Sequence, residues 1–249
     1  MAYANRAAAQ LEVKMPKIEN SLVSKVKGAV SVNPAEHVLN VLKAGLATAP
    51  FCGGIASLMT DYIPSAKQKR LEEFAGQLAT DLTELQNKVD EGVILTDQFA
   101  FLFEKCFRGV AENYQAEKLE AFRGILVNAA IGTNIADDEK EYFLSLVNNL
   151  SALHLRILSF MANPNSYIEA NGIPAEKIRG GFSSFFPIAI PGVELEVIKS
   201  AFGDLYQTGL IGTDKSIFAT MTSGQGLQLL GDRVTGLGKR FISFCTAPV

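Results

Sequence analysis

A regular stripe of apolar residues constrains the fold of this chain more than any other feature. Between about Ser65 and Asp90, apolar side chains recur at spacings of three and four residues, with polar residues between them. They are Leu71, Phe74, Leu78, Leu82, Leu85 and Val89. This spacing is typical of an amphipathic helix. Because it lasts for only about three heptads, it predicts one face of an intramolecular bundle rather than a coiled coil.

Similar periodicity predicts further helices on both sides of the stripe. Their limits are indicated by Asn33-Pro34, by the capping residue Thr96, by Gln115 and Ile131, and by Ala136 and Asn163-Pro164. Short loops connect these segments, and helices joined in this way pack as antiparallel neighbours. We therefore expect an antiparallel helical bundle over residues 34–149, preceded by a flexible N-terminal arm over residues 1–33.

The pattern changes after Pro164, where Gly and Pro become frequent. A helix is predicted over Glu194–Gly209, and strands are predicted at Ile217–Thr222 and Leu227–Thr235, before a last helix that reaches Cys245. With Leu150–Asn163 as its first helix, this order resembles a winged-helix domain. The predicted fold class is mainly α: an antiparallel helical bundle followed by a small α+β winged-helix-like domain at residues 150–249.

Three stretches carry a wider resemblance. They are "SLMTDYIPSAKQKRLEEFA", "FLFEKCFRGVAENYQAEKLEAFRGILVNA" and "DRVTGLGKRFISF". Together they resemble a loosely defined group of bacterial proteins that are sporadically distributed and often linked to mobile elements. The resemblance implies a bacterial cytoplasmic protein that serves phage defence or regulation. It brings no established activity, so it implies no catalytic residue to carry over.

The charge distribution argues against a nucleic-acid-binding protein. The formal net charge is −3, and residues 64–150 alone carry −6. No segment has the dense positive charge that dominates affinity for nucleic acids. The candidate recognition helix carries Glu194, Glu196 and Asp204 against Lys199, so it would repel phosphates. A modest basic patch is left for contact with a partner or a nucleic acid, formed by Lys215, Arg233, Lys239 and Arg240.

Residues with catalytic chemistry are sparse. Cys52, Cys106 and Cys245 lie far apart in apolar contexts, as expected of reduced core thiols. His37 and His154 cannot complete a zinc site of familiar spacing, and no neighbouring Ser or Cys elbow indicates a nucleophile for His154. The glycine-rich stretches lack the spacings of phosphate-binding loops. We therefore predict no enzyme activity, no metal and no cofactor.

The charge-free segment Ala44–Thr60 allows two interpretations. It contains Pro50, Gly53 and Gly54 and many small residues, and it is shorter than the about 20 apolar residues that a membrane span requires. The favoured interpretation is a broken, buried helical hairpin. The alternative is a segment that inserts into a membrane after a trigger.

Three functions are compatible with these features. The first is a cytoplasmic, non-enzymatic interaction or regulatory protein that binds a protein partner or forms a homo-oligomer. Here the apolar segment at residues 182–193 is either a docking surface or a loop packed over the core. The second is a DNA-binding winged-helix regulator, and the third is a conditional membrane-inserting effector acting through residues 44–60. The acidic bundle and the sparse chemistry favour the first.

Overall fold

The computed structural model of the chain describes residues 64–219, 227 and 230–248. This part contains ten α-helices, which we number in chain order. They are α1 Pro64–Glu84, α2 Glu91–Ile94, α3 Asp97–Glu112, α4 Ala116–Ala130, α5 Asp137–Asn149, α6 Ala152–Ala162, α7 Pro164–Ala170, α8 Phe182–Ala189, α9 Leu195–Gln207 and α10 Gly236–Cys245. The predicted arm at residues 1–33, the predicted helix after Asn33 and the segment Ala44–Thr60 lie outside the described residues.

Helix α1 buries the apolar stripe, as the spacing predicts. Its buried residues are Phe74, Leu78 and Leu82. The Phe74 ring meets the ring of Phe107 on α3 edge-on, with 5.2 Å between the centroids. The helix ends at Glu84, earlier than the predicted end near Asp90. Asp90 instead accepts two backbone N–H groups at the start of α2, because Asp is a strong helix-capping residue.

Helices α3 and α4 form a tightly packed hairpin. The side chain of Thr96 accepts the N–H of Phe99 at 3.2 Å, so the predicted cap of α3 is confirmed. Gly109 on α3 lies against the ring of Phe122 on α4, and a Cβ atom at Gly109 would overlap that ring. The missing side chain therefore sets how closely the two helices approach each other.

Side chains from neighbouring helices satisfy the C-terminal carbonyls of α3, α5 and α10. Arg70 donates to the carbonyls of Val110 and Ala111, Lys118 to that of Asn148, and Asn128 to those of Phe244 and Thr246, at 2.8–3.1 Å. The last four carbonyls of a helix have no partner within the helix. These bonds therefore fix the relative positions of helices distant in sequence.

The prediction of one long helix from Ala136 to Asn163 is wrong. The chain forms two helices there, α5 and α6, which meet at a bend of 118°. Leu150 has an extended backbone, and Ser151 starts α6 with a capping box that it forms with His154. The apolar period runs through this break, because Leu150 and Ile157 are buried on either side of it.

The apolar segment at residues 182–193 is neither an exposed docking surface nor an irregular loop. Most of it forms α8, where Phe182, Phe185 and Phe186 are at most 1% exposed. Their rings pack against one another and against Phe160, Phe202 and Phe218 with centroid distances of 5.0–6.4 Å. The expectation of a docking surface is therefore corrected: burial of these rings removes them from contact with a partner.

The two predicted strands are not present where the structure describes them. Lys215–Ala219 and Gly231–Arg233 form 3₁₀ helices, while residues 220–226 and 228–229 lie outside the described part. Asp214 accepts the N–H of Ser216 at 2.8 Å, and this local turn competes with extended structure. One isolated antiparallel bridge joins Ile211 to Val234. The described part is thus mainly helical, as predicted.

The buried apolar residues form one continuous cluster that runs from Phe74 to Phe244. Helix α10 packs on α4, where Gly124 meets the backbone of Cys245 so closely that a Cβ atom would overlap its carbonyl. The predicted domain boundary between residues 149 and 150 therefore falls inside this cluster. No described helix is by itself long and apolar enough to cross a bilayer; α5 and α6 meet the length and composition only as a bent pair.

Candidate interaction surface

Helices α3 and α5 lie side by side and run in the same direction. Near their starts, Lys140 Nζ lies 3.5 Å from Gln98 Oε1. Near their ends, Lys118 at the start of α4, the helix that follows α3, donates to the carbonyl of Asn148 on α5 at 3.0 Å. Two parallel neighbours leave a groove between their outer faces.

A cleft of about 510 Å³ opens at the C-terminal end of this groove. It is lined by Lys105, Arg108, Gly109, Glu112 and Asn113 from α3 and the residue after it, and by Asn148 and Asn149 from α5. The lining side chains thus include two cations and three amides but one carboxylate. This composition suits a ligand that brings carboxylate or carbonyl oxygens. Arg108 also holds Glu104 at 2.8 Å in an exposed ion pair.

Large apolar side chains are exposed on both helices and at the ends of α3. Phe101 on α3 is 39% exposed and Tyr142 on α5 is 44% exposed, while Leu95 and Tyr114, at the two ends of α3, are 60% and 76% exposed. Lys105 Nζ lies 5.4 Å from the centre of the Phe101 ring, in cation–π contact. We call the set Phe101, Lys105, Arg108, Glu112, Tyr142, Ser145 and Asn149 the α3–α5 surface.

Helical geometry explains why these residues share one surface. Phe101, Lys105 and Arg108 are spaced by four and three residues, so they lie on one side of α3. The residues that α3 buries, Phe99, Leu102 and Cys106 among them, lie on the opposite side. On α5, Tyr142 and Asn149 are seven residues apart and share a face in the same way. The surface therefore follows from the periodicity of α3 and α5.

The N-terminal end of the groove is acidic. Asp137, Asp138 and Glu139 occupy the first turn of α5, where the helix dipole favours negative charge. A hydrogen bond from the Lys140 side chain holds the pKa of the Asp137 carboxyl below its usual range, with a smaller contribution from Gln98. Glu139 accepts the side chain of Arg240 at 2.7 Å, which ties α10 to α5.

The four cations proposed from the sequence have different neighbours. Arg240 pairs with Glu139, and Lys239 beside it on α10 is exposed. Arg233 is half-buried, and its carbonyl accepts the N–H of Gly212 at 2.7 Å. Lys215 lies in a separate cleft of about 470 Å³ with Glu196, Lys199, Ser200, Phe218 and Ala219. Their role as a contact patch stays a prediction; Pro50, Gly53 and Gly54 lie outside the described residues.

Helix α9, the candidate recognition helix, has its charged side chains engaged within the protein. Lys199 donates to Glu196 at 2.8 Å. Asp204 lies 3.2 Å from Nε2 of His154 on α6. Lys199, the one basic residue of α9, is thus paired with the Glu196 carboxylate. The helix is therefore poorly suited to bind phosphate groups.

A cluster of Ser151, His154 and Asp204 was missed at the level of the sequence. The Ser151 hydroxyl lies 2.7 Å from His154 Nδ1, and the Ser151 backbone N–H donates to the same nitrogen at 3.1 Å. His154 Nε2 then meets the Asp204 carboxylate. The Ser-x-x-His spacing was a local signal for the first two contacts, whereas Asp204, fifty residues away, required the tertiary structure.

The cysteines that the structure describes are free thiols. Cys106 is buried and Cys245 is half-buried. Burial raises the pKa of the Cys106 thiol well above its usual range, and it also raises the pKa of the Cys245 thiol. Both groups are therefore protonated at neutral pH and are weak nucleophiles.

Within residues 64–219 and 230–248, no group of three or more His, Cys, Asp or Glu side chains is placed to hold a metal ion. No protein-family model, no curated protein and no solved structure matches this chain. The resemblances to winged-helix domains and to bacterial proteins linked to mobile elements therefore stay predictions.

Proposed function

We propose that this chain is a protein-interaction module that binds an acidic and apolar segment of a partner protein on the α3–α5 surface. One observation carries the proposal. Of the six large apolar side chains that are strongly exposed in the described part, four lie on this surface or at the ends of α3. The other two, Val197 and Tyr206, lie on α9.

The chemistry of the surface defines the partner segment. Aromatic residues and Arg are enriched among the residues that dominate binding energy at protein interfaces. Full burial of one large apolar side chain contributes about 1.5–3 kcal/mol, so Phe101 and Tyr142 together can anchor a docked segment. Lys105 and Arg108 add selectivity for carboxylates, because a rim charge mainly steers association and excludes wrong partners.

In this proposal, residues 150–249 form a winged-helix-like domain that supports the helices of the interaction surface. The packing of α6 against α9 and the Ile211–Val234 bridge support that relationship. Thr235 caps α10 by accepting the N–H of Gly238 at 3.0 Å, and α10 in turn packs on α4. In this arrangement the domain stabilises α3 and α5 from behind. A setting in phage defence or bacterial regulation remains a prediction from the resemblance alone.

Site-specific photo-crosslinking tests the proposal. A benzophenone amino acid replaces Tyr142 in the full chain, which is then irradiated in cells that contain the native partners. The matched control carries the same group at Tyr206, which is 41% exposed on α9. We expect discrete adducts from position 142 that the control does not give, and we expect Lys105→Glu to weaken them.

Each result has a defined meaning. Adducts between two copies of this chain would identify the partner as a second copy. Identical adduct patterns from positions 142 and 206 would contradict the proposal, because they would show contacts without preference for the α3–α5 surface.

A further inference from the structure

We propose that the segment bound by the α3–α5 surface is Val193–Val197, at the start of α9, in a second copy of this chain. The inference rests on the proposed function, because it names the partner of the surface defined there. That surface suits an acidic and apolar segment, and Val193–Val197 alternates three apolar residues with two glutamates. The contact joins two copies through two different surfaces.

The outward side chains of Val193–Val197 are accessible to a partner. Val197 is 50% exposed and is one of the strongly exposed large apolar residues. The Glu196 side chain is 80% exposed although Lys199 donates to it, and an ionised carboxylate has further acceptor sites for a second cation. Glu194 is exposed and forms no ion pair within residues 64–219 and 230–248.

The segment is ordered before a partner arrives. Gly192 precedes it with a φ of +80°, in the left-handed region, and so turns the chain into α9. The carbonyl of Glu194 then accepts the N–H of Val197 at 3.0 Å. Val193 and Leu195 pack against the core from the inner side. Docking of an ordered segment costs less conformational entropy than docking of a flexible peptide.

The α3–α5 surface complements this segment in charge. The surface has two cations, Lys105 and Arg108, and one carboxylate, whereas the segment has two carboxylates and no cation. Lys105 Nζ lies over the Phe101 ring, and no carboxylate of the described residues pairs with it. The glutamates of the segment therefore meet the cations of α3, and its exposed valine meets the aromatic rings. Complementary charges of this kind fix which surfaces meet.

The contact requires two copies because both helices are fixed in the core of their own molecule. Ile198 and Phe202 are fully buried on α9, which packs on α6 and α8. Phe99 and Leu102 anchor α3 in the same way. The start of α9 in one copy therefore meets α3 of another copy. An interface between two unlike surfaces is heterologous, so each copy has one surface of each kind to offer.

Tyr206 lies outside this contact. It follows Val197 by nine residues, which is two and a half turns, so the two side chains project from opposite sides of α9. A photo-crosslinker at position 206 therefore remains a control for one at position 142.

Sedimentation velocity of the full chain tests the proposal with two blocked variants. Lys105→Glu blocks the α3–α5 surface, and Glu196→Lys blocks the segment at the start of α9. Lys177→Glu and Glu169→Lys make the same charge changes at exposed positions outside both surfaces, so they are the matched controls. Thermal unfolding of each variant checks that its fold is retained.

We expect the wild type to self-associate as its concentration rises. Each blocked variant should raise the dissociation constant about tenfold or more, because charge reversal places like charges opposite each other, while the two controls associate like the wild type. A mixture of the two blocked variants should form a complex with one copy of each, because each supplies the surface that the other lacks. Crosslinks from position 142 should reach residues 180–199 of a second copy, which form one tryptic peptide.

Three results would overturn the inference. One is a wild-type chain that stays monomeric at its highest soluble concentration. Another is self-association that both blocked variants leave unchanged. The third is a mixture of the blocked variants that forms no complex, which would show that the two surfaces do not bind each other.

These results differ from a failure of the proposed function. Adducts from position 142 with a different protein, weakened by Lys105→Glu, would support the α3–α5 surface and exclude only the second copy as its partner. Adducts from position 142 that match those from position 206 would contradict both proposals.

Discussion

The two halves of the described chain are both mainly helical, but different kinds of contact hold their helices together. In α1 to α5, polar side chains cross between helices: Arg70 and Lys118 satisfy the carbonyl ends of α3 and α5. In α6 to α9, phenylalanine rings fill the space between helices, and within the described residues Phe186 contacts five other rings of the cluster. The first half is therefore specified by directional bonds and the second by packing volume.

The largest expected effect comes from the aromatic half. Phe186→Ala should lower the free energy of unfolding by about 3–5 kcal/mol, because the ring is fully buried and its removal leaves a cavity. Urea unfolding followed by circular dichroism measures the loss. Tyr114→Ala, at a position that is 76% exposed, is the control and should change stability by less than about 0.5 kcal/mol.

Phe186→Ala also tests whether the two halves unfold together. Because the core is one cluster, we expect hydrogen exchange to accelerate in α1 to α5 as well as in α6 to α9. Faster exchange confined to α6 to α9 would instead show that the halves unfold independently, as the predicted boundary between residues 149 and 150 implies.

The next effect tests the directional bonds that join the halves. Asn128→Leu should cost about 1–3 kcal/mol, since the carbonyls at the end of α10 lose their buried donor. Faster amide exchange in α10 should accompany the loss. Asn148→Ala serves as the control, because the Asn148 amide bonds only within its own helix, to the carbonyl of Leu144. An equal loss in both variants would contradict the assigned role of Asn128.

A helix cap in the first half should have a smaller effect. Thr96→Ala removes the side chain that accepts the N–H of Phe99, and we expect it to cost about 1 kcal/mol. Thr80→Ala is the comparison, since the Thr80 hydroxyl bonds back to the carbonyl of Gly76 on an exposed face of α1. Thr96→Ala should therefore have the lower unfolding midpoint of the two. A lower midpoint for Thr80→Ala would count against the role of Thr96 as a cap.

The smallest effect is a dependence on pH. Burial lowers the pKa of the Lys118 ammonium below its usual range. Between the lowered folded value and the ordinary unfolded value, the unfolded chain binds more protons, so stability should rise with pH through this window. Urea unfolding of the wild type between neutral pH and about pH 10 should show a gain that Lys118→Met lacks. Parallel curves for the two proteins would exclude this contribution.

Periodicity predicted the helices well where one face is polar. The stripe on α1 and the Thr96 cap of α3 could be read directly. The break between α5 and α6 could not, because apolar residues continue through Leu150 and Ile157 at helical spacing. The informative residue was Ser151, whose hydroxyl can start a new helix where the apolar pattern shows no interruption.

The errors in the second half have physical causes as well. The run at residues 182–193 is short and, apart from Ser183 and Ser184, almost wholly apolar, so its period could not distinguish a buried helix from a surface loop. Near Ile217, the turn that Asp214 forms locally outweighed the β-branched and aromatic residues. In the candidate surface, Phe101 could have been noticed, since it lies off the stripe of Phe99 and Leu102. The meeting of His154 with Asp204 depends on tertiary packing.

The closely packed glycines have a consequence for how this sequence can diverge. Gly109 and Gly124 each occupy a place where even a methyl group would overlap a neighbouring ring or carbonyl, and Gly238 faces the carbonyl of Leu210 in the same way. Gly76 and Gly203, also on helices, face open space. Mutational drift can therefore replace the latter pair with little penalty. Gly109, Gly124 and Gly238 can change only if the segments they touch also move. We therefore expect glycine to be kept at these three positions in distant relatives of this chain.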